Sequence, residues 1–145
     1  QIFARAFVLL PAPHEQLIVL GEKLQLGFGE AGNGDRDQEE LGAVGLAFDR
    51  FVVGAFGSDH EERPQLPPIA RERASALLGY DVLGAQLVII GDTPADVHCG
   101  RGVGARAIAV ATGGYTTEEL AVHDPAATFA DLTDTARVLD AIRDA

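Results

Sequence analysis

The stretch Leu87-Val88-Ile89-Ile90-Gly91-Asp92-Thr93-Pro94-Ala95-Asp96 decides the reading of this chain. Four apolar residues, three of them Val or Ile, predict a buried strand. The strand runs into a glycine and an acid. Thr93 is a good N-cap and Pro94 a good first helical residue, so a helix starts at once. Asp92 thereby stands at the C-terminal end of a strand, and Asp96 on the first turn of the helix that follows. In open α/β sheets that edge is where ligands bind. Two carboxylates converging there, with little basic side-chain density beside them, point to a hard cation such as Mg2+, held partly through water. A plainer role is open to each acid. Asp96, three residues after Thr93, fits the acid of a capping box, and Asp92 suits the positive end of the helix.

Working outward, Gly100 and Gly104 sit in or just after this helix. Ala107-Ile108-Ala109-Val110-Ala111 makes a second strand, closing on Thr112-Gly113-Gly114, a turn whose backbone can approach a ligand closely. With these residues in place, the chain from about Leu87 to Ala141 resembles the C-terminal part of the haloacid dehalogenase-like hydrolases, especially the phosphoglycolate phosphatase-like branch. The matching text is Gly91-Asp92-Thr93-Pro94-Ala95-Asp96-Val97, Gly100, Gly104-Ala105-Arg106 and Ile108-Ala109-Val110-Ala111-Thr112-Gly113. It continues through Thr117-Glu118-Glu119-Leu120 and Asp131-Leu132-Thr133-Asp134. The resemblance implies that both acids help to hold Mg2+, Asp92 directly and Asp96 directly or through water. It implies a phosphorylated small molecule as substrate. It also implies an aspartate that attacks phosphorus in line, with water then cleaving the phospho-enzyme.

The upstream half departs from the family pattern. Arg63-Pro64 stands where the family has a lysine followed by proline, so Arg63 is a candidate charge partner for nucleophile and phosphate. A guanidinium lacks the compact ammonium geometry, and a solvated loop residue is the other reading. Leu24-Gln25-Leu26-Gly27-Phe28 reads as the strand before the family's hydroxyl-bearing motif, but Ala31 stands where that hydroxyl is expected. No Ser or Thr occurs between Gln1 and Gly57. The backbone N–H groups of the glycine-rich loop offer a partial substitute. The family's nucleophile is the first acid of an Asp-x-Asp pair on the first core strand. Asp35-Arg36-Asp37 has the spacing, yet it follows a glycine loop with no strand before it, and reads as a helix start. The chain begins at Gln1, has no methionine, and shows neither a nucleophile strand nor a cap. The expectation is the C-terminal portion of a longer hydrolase, or a degenerate relative, inactive as it stands. Were it active, Asp35 and Asp59 would be the first candidates for the nucleophile.

Composition narrows the classes. A hydrophobic content of 47% over 145 residues predicts one folded domain, residues 1–145, and argues against disorder. The net charge of −11 argues against nucleic acid and against anionic membranes, and the absence of Trp argues against base stacking. No apolar run reaches membrane-spanning length. A single cysteine, Cys99, fits a reducing cytoplasm, and its neighbour His98 points elsewhere on the same helix, so a thiol nucleophile is not expected.

Helices are expected at 14–23, 35–44, 67–78, 94–103, 117–122 and 133–142. Thr116 and Glu119 should form the capping box of the helix at 117. Strands are expected at 7–10, 24–28, 51–56, 86–90, 106–111 and 127–130. This alternation predicts a three-layer, Rossmann-like parallel sheet with helices on both faces, incomplete relative to the family core. The missing nucleophile strand would leave two inner edges with unpaired backbone groups, and Phe3–Leu10 is the apolar segment available to fill the vacant position. Otherwise these residues pack as a helix outside, and the sheet is narrower or closes its edge in a homo-oligomer. Two functions follow: a Mg2+-dependent phosphomonoester hydrolase or the C-terminal part of one, and a non-catalytic relative serving as a binding or interaction module.

Overall fold

In a computed structural model of the chain, the residues described are 5–9 and 18–22 (as backbone strands), 55 and 59–145. Among them, five strands form one sheet: β1 Arg5–Leu9, β2 Ile18–Glu22, β3 Leu87–Gly91, β4 Arg106–Val110 and β5 Ala127–Phe129, in the order β2-β1-β3-β4-β5. β3, β4 and β5 are parallel, with Ile90 opposite Ile108 and Ile108 opposite Ala127. The α-helices are α1 Leu66–Leu78, α2 Pro94–Cys99, α3 Thr117–Ala121 and α4 Thr135–Asp144.

The strand period of two splits the core into two layers. Leu87, Ile89, Ala107 and Ala109 pack with Leu66, Ala70 and Ala74 of α1, Val97 and Cys99 of α2, and Leu120 of α3. Val88, Ile90, Ile108 and Val110 pack instead with Val138 and Ile142 of α4. The unbroken apolar runs in β3 and β4 are therefore those of strands covered on both faces. Each fully buried Val, Leu or Ile contributes about 1.5–3 kcal/mol. On α1 the buried residues Leu66, Ala70 and Ala74 recur every fourth position, which is one helical stripe.

β1 fills the inner position beside β3, as expected of the N-terminal apolar segment. It runs antiparallel to β3, with Ala6 opposite Ile90 and Leu9 opposite Leu87. The sheet is thus parallel over β3–β4–β5 and extended by an antiparallel pair. One consequence bears on function. The N-terminal end of β1, starting at Arg5, lies beside the C-terminal end of β3, where a parallel neighbour would bring its own C-terminal tip.

The helix expected at 14–23 is corrected: Ile18–Glu22 is strand β2, paired with β1 from Leu9↔Ile18 to Arg5↔Glu22. A short run such as Leu17-Ile18-Val19-Leu20 does not distinguish strand from helix by its period, and pairing with a neighbour decides it. The expected helix at 94–103 stops at Cys99. Gly100 interrupts it, and a 3-10 turn, Arg101–Val103, follows. The elements expected at 24–28 and 35–44 lie outside the described residues, as do Ala31, Asp35 and Asp37. So does the strand at 51–56 except Ala55, which is fully buried against the α1 side of the core.

Candidate functional site

Asp92 follows β3 directly, and Asp96 lies one turn into α2. Both are buried, with 9% and 2% of their surface exposed. Thr93 is the N-cap of α2 in extended conformation (φ −131°, ψ 156°). Its hydroxyl accepts from the Asp96 N–H at 3.3 Å and donates to Asp96 Oδ2 at 2.6 Å. The Thr93 N–H donates to the same oxygen at 3.0 Å. The capping box read from the sequence is therefore present, and it uses one side of the Asp96 carboxylate.

The other side faces Arg63. Its Nη1 donates to Asp96 Oδ1 at 2.8 Å, with the Arg63 side chain 29% exposed and that of Asp96 3%. Arg63 occupies the 3-10 turn Arg63–Gln65 immediately before α1, where Pro64 helps to set the turn. The fold thus brings Arg63 to the acidic edge rather than leaving it a solvated loop residue.

Two glycines set how closely this edge is packed. A Cβ at Gly91 would strike the Asp96 side chain, 2.7 Å from Oδ2 and closer to its carbons. A Cβ at Gly113, in the turn after β4, would stand 3.0 Å from Asp92 Cγ and nearer still to Oδ2. The backbone of the Thr112-Gly113-Gly114 turn therefore lies against the Asp92 carboxylate. Asp92, Asp96, Arg63 and Gly113 are the described residues that the sequence reading and the fold bring together.

The donor set can be tested against Mg2+, which takes oxygen ligands and keeps several waters. Among the described residues, no three of His, Cys, Asp and Glu gather into a metal-binding group. Two carboxylates plus water is the composition on offer. Asp92, at the strand tip, suits a direct ligand. Asp96 already serves Thr93 and Arg63, which suits contact through water.

Other candidates resolve plainly. Asp59 is held by Arg73, whose Nη1 and Nη2 donate to its two oxygens at 2.8 and 2.7 Å. That bidentate pair raises the Arg73 pKa further. Cys99 is buried, and its Sγ donates to the Asp96 carbonyl at 3.2 Å, in keeping with a packing role. His98 is exposed. Its pKa is lowered first by desolvation, then by the charges of Arg101 and His123. The sequence reading passed over the contact between His98 and His123, because 25 positions separate them and no local pattern links them.

The fold and the position of the acids define an α/β protein whose ligand edge lies at the C-terminal ends of parallel strands. Residues 66–135 match the family model described as HAD-hydrolase-like, a span that includes Asp92 and Asp96 and begins just after Arg63. The match supports membership of the haloacid dehalogenase-like hydrolase superfamily for this segment and specifies no branch. Such a domain points to the phosphatase-type hydrolases, whose members typically use Mg2+. No curated protein matches the chain. Among the described residues, no helix is long and apolar enough to cross a membrane.

Proposed function

We propose that this chain is a Mg2+-dependent phosphomonoester hydrolase of the aspartyl-phosphate type, or the C-terminal part of one, acting on a phosphorylated small molecule. One observation carries the reading: buried Asp92 and Asp96 share the tip of β3 and the start of α2, with Arg63 bonded to Asp96 at 2.8 Å. Asp92 would hold the cation directly and Asp96 through water. The cation would offset negative charge on the phosphoryl group. Arg63, fixed by Asp96 and 29% exposed, supplies a guanidinium that can donate to a phosphate oxygen. The Gly113 turn closes one side of Asp92 and keeps its carboxylate in place. The single, buried Cys99 supports a reducing, cytoplasmic setting.

A second reading, a relative that binds without catalysis, draws on the direction of β1. Its antiparallel course sets Arg5, at the start of β1, beside the end of β3, where a parallel neighbour would present its C-terminal tip. Binding of inorganic phosphate, with and without Mg2+, tests the shared site. Mg2+ is expected to strengthen phosphate binding and Arg63→Ala to weaken it. Phosphate binding indifferent to both would refute the site. Turnover of p-nitrophenyl phosphate separates the two readings. The chain alone is expected to show none, and Mg2+-dependent turnover abolished in Asp92→Asn would place a nucleophile within it.

A further inference from the structure

His98, on the last turn of α2, and His123, just after α3, meet edge to face. Their ring centroids are 5.0 Å apart and their planes 85° from each other. His98 Nε2 and His123 Nδ1 face one another at 3.0 Å. We propose that these two nitrogens form a bidentate surface site for a first-row divalent ion of the Cu2+, Ni2+ and Zn2+ class.

Geometry is the first argument. Imidazole nitrogens bind such ions at about 2.0–2.1 Å, so two adjacent ligands of a four- to six-coordinate ion stand about 2.8–3.4 Å apart. The observed separation falls in that interval. The proton balance is simple. Two neutral rings in an N–H···N contact share one hydrogen. Moving it to the other nitrogen of the donor ring, Nδ1 of His98 or Nε2 of His123, leaves a lone pair on each facing nitrogen, and a turn of the rings aims both at an ion to one side of the line between them. No proton is lost overall.

Preorganisation is the second argument. The His123 N–H donates to the Leu120 carbonyl at 3.1 Å, and its own carbonyl accepts from Arg101 Nη2. The next residue, Asp124, turns the chain sharply, with φ at 58°. His98 is carried by α2, whose start the Thr93–Asp96 box fixes. Both rings therefore stand on anchored backbone, and the exposure of His98 leaves room for water to complete the coordination. Nitrogen ligands select borderline transition ions, whereas Mg2+ selects oxygen, so this site is chemically distinct from the Asp92 edge. Arg101 works against an added cation, and the chain's net charge of −11 works for it.

The test is titration of the full chain with Cu2+ in buffer containing millimolar Mg2+, read by calorimetry and electron paramagnetic resonance. The expected result is one equivalent bound, with hyperfine splitting from two imidazole nitrogens. His98→Gln and His123→Gln should each weaken binding by at least about tenfold, the lower end of what even an outer-shell metal partner is worth, while His60→Gln should not. Unchanged Cu2+ affinity in both variants, a spectrum without coordinated nitrogen, or no binding at all would overturn the site and leave a plain hydrogen bond between the rings. The wild-type chain gives a check that does not depend on how the variants fold. Substoichiometric Cu2+ should broaden the ring proton signals of His98 and His123 before those of His60, and broadening in any other order contradicts the proposal.

Discussion

Replacing Asp96 by alanine removes a carboxylate that does two structural jobs at once. It takes away the acceptor for the Thr93 N–H and hydroxyl, at 3.0 and 2.6 Å, which is half of the α2 capping box. Loss of a cap costs about 1 kcal/mol. It also takes away the partner of Arg63 at 2.8 Å. Breaking a fully buried ion pair costs about 3–5 kcal/mol, but the Arg63 side chain is 29% exposed and water can solvate what is left, so about 1–2 kcal/mol applies. The sum, about 2–3 kcal/mol, lowers the melting temperature by roughly 4–12 °C for a chain of this size. Asp96→Asn keeps an oxygen for the Thr93 N–H and loses mainly the ion pair, about 1–2 kcal/mol. Arg63→Ala should cost a similar amount. Because those two variants break the same contact, Arg63→Ala/Asp96→Asn should be destabilised by about 1 kcal/mol less than their sum. Urea denaturation in Mg2+-free buffer reads all four. Asp96→Ala within about 0.5 kcal/mol of wild type, or strict additivity in the cycle, would refute the reasoning.

Three further outcomes follow from other parts of the fold. Ile108→Ala empties a fully buried position on β4 against α4, and chemical denaturation should show a loss of about 2–5 kcal/mol. Gly113→Ala places a methyl group against the Asp92 carboxylate; Mg2+ affinity, read by calorimetry, should fall while the far-UV circular dichroism spectrum stays unchanged. The Asp131 carboxyl is held below its usual pKa, first by the Thr133 hydroxyl and then by the Thr133 N–H. Its stabilising effect is therefore full above the unfolded-state pKa and is lost as pH falls through the lower folded value. Carboxyl-carbon NMR titration should find that pKa raised in Thr133→Ala.

The part of the fold legible in the sequence is the part written in local patterns. Thr93 with Asp96, and Thr116 with Glu119, are capping boxes that three-residue spacing reveals and that the structure contains. The apolar runs of β3 and β4 identify strands buried on both faces because no polar residue interrupts them. Ile18–Glu22 was harder. The four-residue apolar run Leu17-Ile18-Val19-Leu20 fits one helical turn as well as a strand, and only the pairing of Ile18–Glu22 with β1 settles it. The direction of β1 had no local signal at all, since apolar residues pack alike in parallel and antiparallel neighbours. The site divides in the same way. Asp92 and Asp96 were readable from one loop, but the Arg63–Asp96 pair spans 33 positions and the His98–His123 pair 25, and such contacts exist only once the helices are docked.

The central claim is that the tip of β3 holds a divalent cation through Asp92, with Asp96 in a supporting role. Calorimetric titration of Mg2+ into the wild-type chain, Asp92→Asn and Asp96→Asn tests it most directly. The account predicts that Asp92→Asn loses more affinity than Asp96→Asn, because Asp92 ends the strand at the ligand edge while both oxygens of Asp96 already accept hydrogen bonds. Equal and unchanged Mg2+ affinity in the two variants would contradict it.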